Sequence, residues 1–333
     1  MVNHTDPTRD QAGRPQRLPW DPVTAAAVGL AIDTATAEAV VAFRDAGVRS
    51  ILLKGPSFDA WLYEPEEPRL YTDIDLLVPS GAVQRAARVL RRLGYRKRAE
   101  REPSRIVEHA AVWVRSSDQL CLDLHVTLGG IDCDDVDPWD VLTADTDRML
   151  VQHTEVDILS EPGRALHIAL HAAVSGAAAE MPMIDLLRAL ERLPSETWKA
   201  AASLAEGLGA QATFATGLRM QPAGAQLCAE LELPGERSVE TLMLADSVPY
   251  FSWTVNRLVR TPGIMAKLRI LAPRLIPTPD FMRVWYPVAR RGTAGLILAY
   301  VQRLAWLVKA TGPALSAWWR ASRETRRSGT AGS

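Results

Sequence analysis

Residues 72–78 read TDIDLLV, a run as aliphatic as a buried strand that nonetheless carries Asp73 and Asp75 two positions apart. In a strand, side chains at i and i+2 point to the same face. Like charges placed there repel, and a buried carboxylate without a partner is costly. A chain with this run must therefore bring a cation to that face or leave it open at a sheet edge. Asp123 sits in a similar setting in CLDLHV, again flanked by aliphatics. Carboxylates from neighbouring strands suit divalent metal, because Mg2+ prefers oxygen ligands and binds through carboxylates together with substrate phosphates. Three of them make a two-metal site for in-line phosphoryl or nucleotidyl transfer.

The surrounding pattern places these residues. TAAAVGLAIDTATAEAVVAFRDAGV (24–48) has helical periodicity and stops near a glycine. SILLK is a short strand, and PSFDAWLY opens a helix with proline just after Gly55. SGAVQRAARVLRRLGY is a helix opened by Ser80 and stopped at Gly94, while IVEHAAVWVR and QLCLDLHVTL are strands. The order helix–strand–helix–strand–helix–strand–strand predicts an α+β fold, a small mixed sheet with flanking helices over residues 20–160. From 161 to 320 the texture is mostly helical, with breaks near Pro194, Pro222, Pro234 and Pro262. Residues 1–19 are expected to be a flexible arm and 321–333 a basic flexible tail.

Lys54-Gly55, a strand end followed at once by a helix, lets backbone N–H groups approach phosphate oxygens. It is not a P-loop, since no G-x-x-x-x-G-K-[ST] occurs. GLGAQA (207–212) follows a helical pattern and fails the context of a dinucleotide fingerprint.

Taken together, LLKG, R-x-Y-T-D-I-D-L-L-V and LDLHVTL resemble the uncharacterised bacterial nucleotidyltransferase family designated NTP_transf_5, within the DNA polymerase β-type nucleotidyltransferase superfamily. The likeness covers roughly residues 35–200 and includes LHIALHAA and MIDLLRAL. It implies a nucleotidyltransferase using a nucleoside triphosphate (NTP) and two Mg2+ ions. Asp73 and Asp75 would bind both metals, and Asp123 would complete one metal site and help activate an acceptor. The turn at Gly55 would hold the triphosphate. The superfamily commonly has Gly-Ser there, whereas here Pro56 follows Gly55 and Ser57 comes one place later. Lys54 is the compensating cation, and Arg69 reaches either a phosphate or the acidic loop EPEEPR. The acceptor implied is a hydroxyl of a small molecule or peptide, including natural-product tailoring; RNA or protein also fits. The alternatives are a nucleotide-binding regulatory or antitoxin-like protein without turnover, and a peripheral membrane protein acting through its basic Trp-rich tail.

His125 shares a strand face with Asp123, as a partner of the site or a base for the acceptor. His167 and His171 lie four apart on one helix face, a metal-ligand spacing. No accompanying ligand pattern supports zinc, so they are expected to pack that helix against the catalytic sheet, near the acceptor.

Net charge of −1 conceals an asymmetry. From Val255 onward there are 14 Lys and Arg against Asp280 and Glu324, a net of +12, leaving −13 for the rest. That imbalance points to an anionic partner, namely nucleotide, nucleic acid, a membrane surface or the chain's own acidic half. Three cysteines without framework spacing and an N-terminus without an apolar h-region indicate a cytoplasmic setting, peripheral to a membrane if the Trp-rich basic tail docks there. GTAGLILAYVQRLAWLVKATG (292–312) comes nearest to a membrane span, but Arg303 and Lys309 interrupt it.

Overall fold

The computed structural model describes residues 21–98, 110–131, 137–235 and 250–330, with Val239, Leu242, Met243 and Val248 between the last two. The expected N-terminal arm and Cys133 lie outside the described residues. Those up to Lys97 and from Ala110 to Leu233 form one compact unit, and those from Pro234 onward a second.

Helix α1 (Pro22–Asp45) starts where Asp21 caps the backbone N–H of Val23 and Thr24, and Gly47 at φ +65° ends it. It is long and apolar enough to cross a membrane by length and composition. In this structure its buried stripe of Ile32, Ala35, Ala39 and Phe43 packs on the sheet. Strand β1 (Ile51–Leu52), helix α2 (Pro56–Leu62), strand β2 (Asp73–Leu77) and helix α3 (Val83–Arg92) follow. Then come β3 (Tyr95–Lys97), β4 (Ala110–Arg115), β5 (Cys121–His125), α4 (Pro138–Leu142), β6 (Thr146–Val151) and β7 (Thr154–Leu159).

These strands make a seven-stranded mixed sheet in the order β3-β4-β5-β2-β1-β7-β6. β2 runs parallel to β5 and β1 parallel to β7, with the other pairs antiparallel. Period-two alternation divides the core. Leu52, Ile74, Leu76, Leu122 and Leu124 face α1 and α3. Ile51, Leu53, Leu77 and Leu159 face the opposite layer. That layer comprises α5 (Glu161–Ser175), α6 (Glu180–Arg192), α7 (Ser195–Gly207), α8 (Gln211–Leu218) and α9 (Pro222–Glu230).

Helix α5 is buried along almost its whole length. Helix α8 reaches it through Gly217, where a Cβ would stand 1.9 Å from the Ala169 carbonyl oxygen. The composition shift near residue 160 is therefore not where the compact units divide. Helices α5–α9 cover the sheet, and the unit runs to Leu233.

The predicted proline breaks agree with the helix boundaries. Pro194 precedes α7, Pro222 opens α9, and Pro262 separates the helices Tyr250–Arg260 and Ile264–Leu275. The second unit continues with Pro279–Trp285 and a long helix, Gly292–Thr330. That helix runs through much of the stretch expected to be a flexible tail. Trp318 ties it to the helix Tyr250–Arg260 by donating to Asn256 Oδ1 at 3.1 Å.

Candidate active site

The parallel pairing of β2 and β5 sets Asp73 opposite Cys121, Asp75 opposite Asp123, and Leu77 opposite His125. Residues in register on adjacent strands share a face. Asp73, Asp75, Asp123 and His125 thus rise from the sheet face that the α5 layer covers. One ligand atom each from Asp75, Asp123 and His125 lie within 4.8 Å of one another. Asp73 shares the face but stands outside this closest group, in which His125 takes the third place.

Asp75 is 2% exposed, and its Oδ1 accepts from Lys54 Nζ at 3.0 Å. His125 Nε2 lies 3.0 Å from the same oxygen. Burial alone would raise the Asp75 pKa, but the Lys54 charge and the His125 contact outweigh it and hold this carboxyl well below the usual range. Burial likewise opposes the Lys54 ammonium, and Asp75 and Asp73 beside it raise its pKa on balance. Among the described residues no cation pairs with Asp123. Burial first, then the Asp75 charge, push its carboxyl up to about 6, and the same two causes raise Asp73. One lysine therefore satisfies one carboxylate and leaves two under strain, a state that an added cation relieves. Two carboxylates and an imidazole nitrogen at this spacing fit a divalent ion.

The turn after β1 is built for close approach. Gly55 has φ +64° and ψ −119°, a conformation available to glycine and strained for other residues. A Cβ there would stand 3.4 Å from the Tyr71 ring, whose hydroxyl donates to Asp33 at 2.8 Å. Ser57, next to Pro56 in the first turn of α2, is buried, and among the described residues its hydroxyl has no hydrogen-bond partner.

The structure pairs Arg69 with Asp185 and not with the acidic loop. Its guanidinium is 7% exposed and forks onto Asp185 of α6, Nε to Oδ1 at 2.9 Å and Nη2 to Oδ2 at 2.8 Å. Tyr63 donates to the same Asp185 Oδ1 at 2.6 Å. The loop acids Glu64 and Glu67 pair instead with Arg192 and Arg188. Asp185 belongs to no catalytic or metal-ligand motif in the sequence. Its one signal was a carboxylate within the apolar run MPMIDLL.

His167 and His171 lie on α5 with ring centroids 6.0 Å apart, and Phe58 stands edge-on to His167 at 5.5 Å. Both feel the charges of Lys54 and Asp75. Burial, then Lys54, lower His167 to about 3 and His171 well below its ordinary value, so both stay neutral at physiological pH. Neither belongs to the closely spaced ligand group.

Residues 23–223 match the family model described as uncharacterised nucleotidyltransferase. The chain belongs to this family. It is an enzyme of the nucleotidyltransferase class. No curated protein matches the chain. Among solved structures, it is similar to the antibiotic-resistance factor ANT(2″)-Ia in two determinations. The crystal structure in complex with adenylyl-2″-tobramycin has 13% identity and a TM-score of 0.34, covering 60% of this chain and 97% of that one. The solution structure has 16% identity and a TM-score of 0.33, covering 60% and 96%.

Proposed function

We propose that this nucleotidyltransferase moves a nucleoside monophosphate from an NTP to a hydroxyl of a small molecule or peptide. The observation that carries the reading is the pairing of Asp75 with Asp123 on one covered sheet face, with Lys54 against Asp75. The acceptor oxygen attacks the α-phosphorus. The bond from that phosphorus to the bridging oxygen breaks, and pyrophosphate leaves with the electron pair. Asp123 takes up the hydroxyl proton, the acceptor-activating role that the family resemblance implies.

Asp73, Asp75 and Asp123 are the residues to hold Mg2+, two ions by the family resemblance, with His125 adjoining. Bound there, the metal supplies neutralisation of the triphosphate and acidity to the acceptor hydroxyl. Lys54 exchanges Asp75 for phosphate oxygens, and the Gly55 turn and the Ser57 hydroxyl hold the triphosphate. Arg69, committed to Asp185, contributes positive potential and positions the segment leading into β2. His167 and His171, kept neutral, line the acceptor side, and the helices after β7 select the acceptor.

The test is incubation with α-labelled NTPs and a panel of hydroxyl acceptors, using wild type and Asp123→Asn. Wild type is expected to release pyrophosphate and label one acceptor class, with the variant slower by roughly 10²-fold or more. Equal rates in the two proteins would remove Asp123 from the chemistry. NTP binding without turnover on any acceptor would favour a regulatory nucleotide-binding protein instead.

A further inference from the structure

Among the described residues, most of the large apolar side chains that stand exposed lie between Val259 and Trp319, in the second compact unit. Exposed apolar surface in soluble proteins is usually scattered, and a concentration of it marks a contact surface. Two helices carry it. On Ile264–Leu275, Ile264, Met265, Leu268 and Leu275 are exposed, Ile264 to 75%. At 3.6 residues per turn their side chains fall within about 100° of arc. Lys267 and Arg269 flank that arc on either side, about 60° and about 40° beyond its edges. An apolar arc bordered by cations is the pattern of a helix lying in a lipid interface.

The long helix carries a second apolar stripe, with Lys309, Arg320 and Arg323 to one side of it and Leu298 and Trp306 exposed off it. Ile297, Val301, Leu304, Val308 and Leu315 are all exposed, Val308 to 78%, and occupy about 60° of arc. Arg303 is on another face, buried, with its guanidinium over Phe281 and its Nε donating to the Arg274 carbonyl at 2.9 Å. The charge that interrupts the apolar sequence is thus withdrawn from the exposed stripe. Trp319 is exposed as well, with Arg323 stacked 3.6 Å over its ring.

We infer that this surface docks on an anionic lipid bilayer. Charge selects the occupant. The stretch from Val255 onward has a net charge of +12 with only Asp280 and Glu324 acidic. A helix seam between two copies needs acids to meet the bases along its edges. The long helix offers Lys309, Arg320 and Arg323 against one glutamate, so the same helix of a second copy would bring like charge to like charge. An anionic headgroup layer answers both features, the cations at its surface and the apolar arcs just beneath it. The inference is independent of the nucleotide site.

The experiment is flotation of the full chain with phosphatidylcholine vesicles containing phosphatidylglycerol, and with pure phosphatidylcholine vesicles, at low and high salt. Expected is recovery at least tenfold higher on the anionic vesicles, falling with added salt. Ile264→Asp/Leu268→Asp should abolish it while leaving the far-UV spectrum and melting curve unchanged, because both positions are exposed. A chain that stays at the bottom with anionic vesicles, or a double variant that floats as wild type does, would overturn the inference. So would a dimer mass by light scattering in the absence of lipid that the double variant reduces to a monomer.

Discussion

The Arg69–Asp185 pair allows a quantitative prediction. Asp185 is 1% exposed and accepts three hydrogen bonds, two from the guanidinium and one from Tyr63. Arg69 is held further by its own backbone N–H, which donates to Asp59 Oδ1 at 2.6 Å, and by the Phe58 ring 5.6 Å from its guanidinium carbon. Asp185→Asn keeps the volume, removes the charge and turns an amide N–H2 toward donors. Removing one partner of a buried ion pair costs about 3–5 kcal/mol, most of it from the stranded charge. At roughly 2–4 °C per kcal/mol for a unit of this size, the melting temperature should fall by on the order of 10 °C. Chemical denaturation gives the free energy and a thermal melt the shift. Arg69→Met/Asp185→Leu should recover much of the loss, since apolar replacement of a whole pair is often neutral. A loss below about 1 kcal/mol for Asp185→Asn, the worth of an exposed pair, would refute the reasoning. Arg69 would then be free to serve as a phosphate ligand.

Two further outcomes follow from burial. His167 is held at about 3 against an unfolded value near 6.5. Only the unfolded chain gains that proton between those values, so stability is full above about pH 6.5 and is lost as pH falls toward 3, by at most about 1.4 kcal/mol per pH unit. His167→Gln should flatten the unfolding free energy between pH 6 and 4 relative to wild type, and parallel curves would contradict this. Gly217→Ala should destabilise by about 1–3 kcal/mol in urea titration, because the new Cβ meets the α5 backbone at Ala169. A gain of stability, as helix propensity alone predicts, would deny that the helices touch there.

The site's face was legible in the sequence because strand period fixes it: Asp73 with Asp75, and Asp123 with His125, each two apart. The register between them was not. β2 and β5 are parallel neighbours separated in sequence by α3, β3 and β4, and no local rule sets Asp75 opposite Asp123. The partner of Arg69 lies 116 residues away, beyond any periodicity. The β6–β7 hairpin escaped notice because its two-residue turn is Gln152-His153, both at positive φ, where Asn-Gly or Asp-Gly is the usual signal. β3 was hidden for a different reason, being a three-residue strand with only Tyr95 buried.

Thermal stability with each NTP, with and without Mg2+, on wild type and Asp75→Asn, tests the metal–nucleotide site most directly. At about 100 times its Kd a ligand stabilises by roughly 2.7 kcal/mol, a visible shift. Wild type is predicted to shift with NTP only when Mg2+ is present, and Asp75→Asn not to shift. An equal shift in both proteins, or none in either with any NTP, would contradict the assignment of Asp75 to a metal–nucleotide site.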